Sequence, residues 1–363
     1  MVRDLPRGVP EQHGIASQAI SRFIAKLDRL QEIHSVMILR HGHVIAEGSW
    51  SPYQPETAHI LFSLSKSFTS TAVGLAIDEG FFGLDDRVVA FFAAELPSEP
   101  SANLQAMRVR DLLTMSSGHA TDPLDHNETN WIKAILAAPI EHEPGTQFVY
   151  NSSATYLLSA IVQRTTGQRL MDFLQPRLLA PLGISMAFSE QSPEGIDIGG
   201  WGMMMPIDAI ARFGQLLLQK GMWNGRQLVP AAWLEQATSK QISNGDHPNS
   251  DWEQGYGFQY WMCRHNCFRG DGAFGQFCLV MPEHETVVAM TSGIDDMQQV
   301  LNLVWDYLLP ELHAEPLPVN DDAHHALHDQ LASLQLPLVA GNPTSSMAET
   351  ILGKTYHVEP NAL

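Results

Sequence analysis

The chain has 363 residues, 44% hydrophobic and 17% charged, which excludes a disordered chain, a collagen-like repeat and a coiled coil. With 21 Lys and Arg against 40 Asp and Glu the formal net charge is −19, so nucleic-acid phosphates and anionic membrane surfaces are not expected as partners. Three cysteines (Cys263, Cys267, Cys278) cannot form a disulfide framework, residues 1–8 hold no signal-peptide core, and no apolar run nears the ~20 residues of a membrane span; a cytoplasmic protein is expected.

In chain order, Ile15, Ile20, Phe23, Ile24, Leu27 and Leu30 recur at helical spacing. Two β-type runs, 35–39 and 44–46, flank His41-Gly42 and read as a hairpin. Helix resumes over 63–80 and again over 109–115, 130–137, 152–166, 170–179, 207–220 and 231–239. Strand character returns at 257–261, 275–281 and 286–291, and a helix over 297–309 follows. The short links between the late strands predict antiparallel pairing. The simplest α/β architecture is one antiparallel sheet built from the hairpin and the late strands, flanked by terminal helices, with a mostly helical subdomain inserted over about 85–240.

This domain is expected to span 1–312. A Pro-rich linker and one helix (321–334) fill 313–345. The stretch 346–363 includes a run, 352–360, that reads as the opening strand of a further β-domain cut short, because one strand has no stability alone.

Ser63 and Lys66, three apart on a helix, share a face with Cβ atoms about 5–6 Å apart, so the amine reaches the hydroxyl. An activated serine nucleophile needs that proximity and local positive potential. The flanking Phe62, Phe68, Val73 and Leu75 make the helix apolar, and a buried lysine needs a partner. A second signal is Tyr150-Asn151-Ser152, where a short extended run gives way to helix; Asn151 or Ser152 caps, or the Tyr150 phenol faces the Ser/Lys pair with its pKa lowered by nearby ammonium. A third is 269–276, read either as a hairpin turn at Asp271-Gly272 or as an edge strand offering backbone N–H groups to a substrate oxygen. His324, His325 and His328 read as a solvated helix face, and Cys263/Cys267 lack the second ligand pair of a zinc site.

In this order, with 109–118 and 210–230, these motifs resemble the serine β-lactamase and penicillin-binding-protein superfamily, most closely its class C branch with related esterases, D-aminopeptidases and oligomer hydrolases, over about 14–312. The resemblance implies Ser63 as acylated nucleophile, Lys66 as its proton partner and Tyr150 as general base, with Ser152 in the place of the Tyr-x-Asn asparagine. It implies an oxyanion hole of the Ser63 and Ala273 N–H groups and a substrate wall at Gly270, Asp271 and Gly272; no metal or cofactor is expected. The loops 121–130 and 241–253 are expected to shape the pocket, and Trp201, Trp252, Tyr256, Tyr260 and Phe274 are candidates either for an aromatic cleft or for the core. Where the family has Lys-Thr-Gly or His-x-Gly this chain has Gly270-Asp271-Gly272, so the cation that meets a β-lactam carboxylate is missing; Arg269 should face the other way. No Ser-Asp-Asn occurs, against a class A arrangement. A hydrolase of small esters or amides is therefore expected. β-Lactamase or D-amino-acid peptidase action at the same site, or a non-catalytic penicillin-binding or sensor module, are the alternatives.

Overall fold

Strand β1 spans Ile33–Arg40, β2 His43–Ser49, β3 His59–Ile60, β4 Met204–Met205, β5 Met222–Trp223, β6 Arg226–Gln227, β7 Trp261–Met262, β8 Phe268–Gly272, β9 Gln276–Met281 and β10 Thr286–Ser292. The computed structural model describes residues 5–124, 128–338, 341–342 and 344–357. Among these, one six-stranded sheet has the order β2-β1-β10-β9-β8-β7. Every neighbouring pair is antiparallel. The early hairpin thus joins the late strands as expected.

Side-chain alternation explains why this sheet is covered on both faces. In β9, Cys278 and Val280 enter one apolar cluster while Phe277, Leu279 and Met281 enter another. The helices supply the cover. They are α1 (Ser17–Asp28), α2 (Ser65–Asp78), α3 (Ala102–Ala106), α4 (Val109–Leu113), α5 (Trp131–Ala137), α6 (Ser152–Thr166), α7 (Leu170–Leu174), α8 (Ala180–Leu182), α9 (Ile207–Leu218), α10 (Ala231–Ala237), α11 (Met297–Leu303), α12 (Asp321–Ala332) and α13 (Ala348–Ile351). The stripe Ile20, Phe23, Ile24 and Leu27 of α1 lies in the second cluster with Val300, Leu301 and Leu327 of α11 and α12. Helix α9 takes the first face, and Gly214 lets it come so close that a Cβ there would stand 2.5 Å from Val287 Cγ1.

Helix α2 is buried all round, from Ser65 to Ala76. Three of its polar side chains are held by backbone, whereas the buried Ser70 hydroxyl has no partner among the described residues: Ser67 Oγ donates to Gln259 O (3.0 Å) and Thr69 Oγ1 to Gly199 O (2.9 Å), while Ser65 Oγ accepts from Met203 N (3.2 Å). These bonds fix α2 against the loop that precedes β4 and the segment that precedes β7.

Two local readings change. The expected strand at 257–261 contains only Trp261, because 257–260 is a tight turn closed by Gly257 N to Tyr260 O at 2.8 Å. Its Gln259, left-handed at φ 67°, is held by side-chain bonds to Thr155, Leu112 O and Leu113 O. Asp271-Gly272 is strand rather than turn; the turn is 273–275, with Phe274 at φ 64° and Gly275 at φ 82°. Since β7 pairs only with Phe268 and Arg269, the outer edge of 270–272 carries no strand among the described residues.

After α12, Ser51 N donates to Leu334 O and Leu336 N to Ser51 O, which fastens this helix beside β2. Residues 344–357 are exposed and hold α13, with no strand at 352–357; the last three residues of the expected run, 358–360, lie outside the described residues. Among the described residues no helix is long and apolar enough to cross a membrane. No group of three or more His, Cys, Asp or Glu among them could hold a metal ion, and His325 and His328 are exposed.

Candidate active site

Ser63 lies in a single 3-10 turn, Phe62–Leu64, that leads into α2. Phe62 before it is left-handed at φ 46°, a conformation that costs a β-carbon residue of order 1 kcal/mol or more. Phe274, also left-handed, follows Ala273, and the two rings pack edge-on at 5.4 Å. The neighbours of Ser63 and of Ala273 are therefore in contact.

Lys66, one turn on, is 1% exposed. Its Nζ lies 3.0 Å from Ser63 Oγ and 3.1 Å from Ser152 Oγ, and it donates to Gly200 O at 2.7 Å. These are the partners that a buried lysine requires. Burial lowers the Lys66 pKa to about 7, opposed by the negative charges of Asp122 and Asp271. Near neutrality the amine is thus neutral in a large fraction of molecules.

Tyr150 closes the third side. Lys66 Nζ sits 4.9 Å from its ring centre, and the Ser63 side chain acts on the phenol. Its pKa moves opposite to the sequence expectation. Burial, then the charge of Asp271, pushes it up, and the Ser63 side chain and Arg269 only partly offset this. The shift favours the protonated phenol. Its ring rests against Trp261 (5.1 Å) and Tyr256 (6.2 Å).

Asn151, not Ser152, caps α6, its side chain accepting from Ala154 N at 2.8 Å and donating to Val149 O at 2.9 Å. That leaves Ser152 free to turn its hydroxyl to Lys66. The site thus brings together Ser63, Lys66, Tyr150 and Ser152 from two helix starts.

Strand β8 forms the adjoining wall. A Cβ on Gly272 would stand 2.0 Å from Leu61 O, and one on Gly270 would stand 2.4 Å from Ser67 Oγ and 2.6 Å from Leu64 Cδ1. Both glycines are demanded by the approach of β8 to the nucleophile turn. Arg269 and Asp271 occupy the other face as a buried ion pair at 2.9 Å. The guanidinium also donates to Asp251 O (2.7 Å) and stacks over Trp252 at 4.3 Å, so Arg269 does face away and is committed. Trp201, half-buried beside Gly200, is 6.0 Å from Trp131. Of the other aromatic candidates, Tyr256 and Tyr260 are core residues and Phe274 is 44% exposed. Part of the loop expected to shape the pocket, 125–127, lies outside the described residues.

Sequence reasoning missed two members of the site: the Gly200 carbonyl, which no side-chain pattern could announce, and Asp122. Asp122 accepts from Ser152 N at 2.6 Å and from the Ser153 hydroxyl.

A two-sided antiparallel sheet with a Ser-x-x-Lys turn, a buried lysine and a tyrosine from a second helix start defines a serine hydrolase of the penicillin-recognising type. The family model described as Beta-lactamase matches residues 23–306, and the chain belongs to that family. It is 26% identical over 295 residues to the 6-aminohexanoate-dimer hydrolase of Paenarthrobacter ureafaciens, covering 74% of this chain and 75% of that protein. To the lovastatin esterase of Penicillium rubens it is 25% identical over 169 residues, 39% of this chain and 42% of the other. The octameric penicillin-binding protein homologue from Pyrococcus abyssi shares the fold, with TM-score 0.64 and 20% identity over 83% of this chain and 79% of that one.

Proposed function

We propose that this chain hydrolyses small carboxylic esters or amides through an acyl-enzyme on Ser63. The observation that carries the reading is Lys66 Nζ, sealed from water 3.0 Å from Ser63 Oγ with its pKa lowered to about 7. A neutral amine there accepts the hydroxyl proton as Oγ attacks the carbonyl carbon. The N–H groups of Ser63 and Ala273 receive the developing oxyanion. Tyr150, kept protonated, passes a proton to the leaving alkoxide or amine and is reprotonated from Lys66. Water then attacks the acyl carbon, giving a proton to neutral Lys66, which passes it on to Ser63 Oγ as the acyl–oxygen bond breaks and the acid leaves. Ser152 and Gly200 O orient Lys66 throughout.

Small esters and amides fit a site whose wall offers backbone and, among the described residues, no free cation for a substrate carboxylate. The similarity to a 6-aminohexanoate-dimer hydrolase and to a lovastatin esterase supports a hydrolase of this kind. Turnover of p-nitrophenyl acetate and butyrate by wild type and by Ser63→Ala tests the reading. Wild-type hydrolysis abolished in the variant is expected; equal rates would sink it, and a stable adduct without turnover would favour the penicillin-binding or sensor alternative.

A further inference from the structure

The first N–H groups of α6 have no partners within the helix. Asn151 takes that of Ala154, and Asp122, from a loop 30 residues earlier, takes the rest: Oδ2 accepts from Ser152 N (2.6 Å), Oδ1 from Ser153 N (3.4 Å) and from the Ser153 hydroxyl. The residue whose backbone this carboxylate grips is the one whose hydroxyl lies 3.1 Å from Lys66. Resting on the reading above, we propose that Asp122 is a positioning residue of the hydrolytic site, holding Ser152 in reach of Lys66 and adding a negative charge to the surroundings of the same amine.

A cap alone does not need the charge, because serine and asparagine cap as well as aspartate. Among the described residues the charges felt by Lys66 are those of Asp122 and of Asp271 on β8, and the titratable group packed against it is Tyr150 before α6. Asp271 is neutralised by Arg269 at 2.9 Å. Asp122 is exposed and in no ion pair among the described residues, so its charge is screened by water but not cancelled by a partner. It favours the protonated amine and holds back the basic form.

The test is the pH dependence of kcat/KM for p-nitrophenyl butyrate in wild type, Asp122→Asn and, should that variant fold poorly, Asp122→Ser; both replacements keep an oxygen for the α6 N–H groups. The ascending limb of the profile should move to lower pH by roughly 0.5–1 unit, less than the 1–3 units of a direct contact. Ser153→Ala, which removes a partner of Asp122 and no charge, should leave the limb in place. A limb that stays put in the Asp122 variants overturns the proposal, whatever happens to the plateau, since a purely structural cap would lower the plateau alone. If Ser63→Ala is inactive while the limb stays put, this inference alone fails. If Ser63→Ala is fully active, the parent reading fails and this one with it.

Discussion

An amine with its ordinary pKa near 10.5 would be a poor base at neutral pH; Lys66 becomes one because it is shut away from water. The same burial acts on Tyr150 with the opposite effect, raising a phenol that also senses Asp271. Two neighbouring groups are thus pushed toward their neutral forms, which are the forms the proposed mechanism needs in Lys66 as acceptor and Tyr150 as donor. Loss of either should be costly. Lys66→Ala and Tyr150→Phe should each reduce ester turnover about 100-fold or more, the scale of general acid–base help, and full activity in either contradicts the role. Lys66 is active when deprotonated, so the wild-type rate should rise with pH through about 7. A profile flat from about pH 5 to 9 would count against this base.

At the scale of elements, β8 and the nucleophile turn are packed so closely that glycine is the side chain that fits. Gly272→Ala would drive a Cβ to 2.0 Å from Leu61 O, and the strand would have to withdraw from Ser63. A loss of about 1–3 kcal/mol in denaturant unfolding, with a larger loss of activity, is expected. Gly270 is also where related enzymes carry a cation, and the Arg269 guanidinium is tied to Asp271 and Asp251 O on the other face. A missing charge-assisted bond of ~1.5–3 kcal/mol should weaken recognition of a β-lactam carboxylate roughly 10- to 100-fold. Cephalosporin turnover at micromolar concentration would refute this. The Ser63/Lys66 pair was legible in the sequence because a helix repeats locally, and Tyr150 and Ser152 because a helix start has its own chemistry. Gly200 O, Asp122 and the left-handed Phe62 and Phe274 were not, since each owes its place to tertiary packing between segments far apart in the chain. For the same reason the 257–260 run looked like strand, its apolar residues read by period while the buried amide of Gln259 sets a turn.

Across the whole molecule, the hairpin, the strands at 275–281 and 286–291 and the flanking helices were readable from periodicity, and their antiparallel pairing followed from the short links between them. The position of β8 beside α2 depended on close approaches that no period reports. The site built there costs stability in a way that pH exposes. Below about pH 7 Lys66 is protonated both folded and unfolded, and its burial penalty is felt in full. Between about 7 and its free value of 10.5 the unfolded chain holds a proton the folded one lacks, so the Lys66 contribution to stability rises with pH, by up to about 1.4 kcal/mol per unit. The stability of wild type relative to Lys66→Met should climb across that window in denaturant titrations; a constant difference contradicts it. The central claim, that Ser63 carries the acyl group, has a direct measurement. Wild-type protein quenched with acid during turnover of p-nitrophenyl butyrate, digested and mapped by mass spectrometry, should show one butyryl group on the peptide containing Ser63. Turnover that proceeds with that peptide unmodified, or with the acyl group on another residue, would contradict the account.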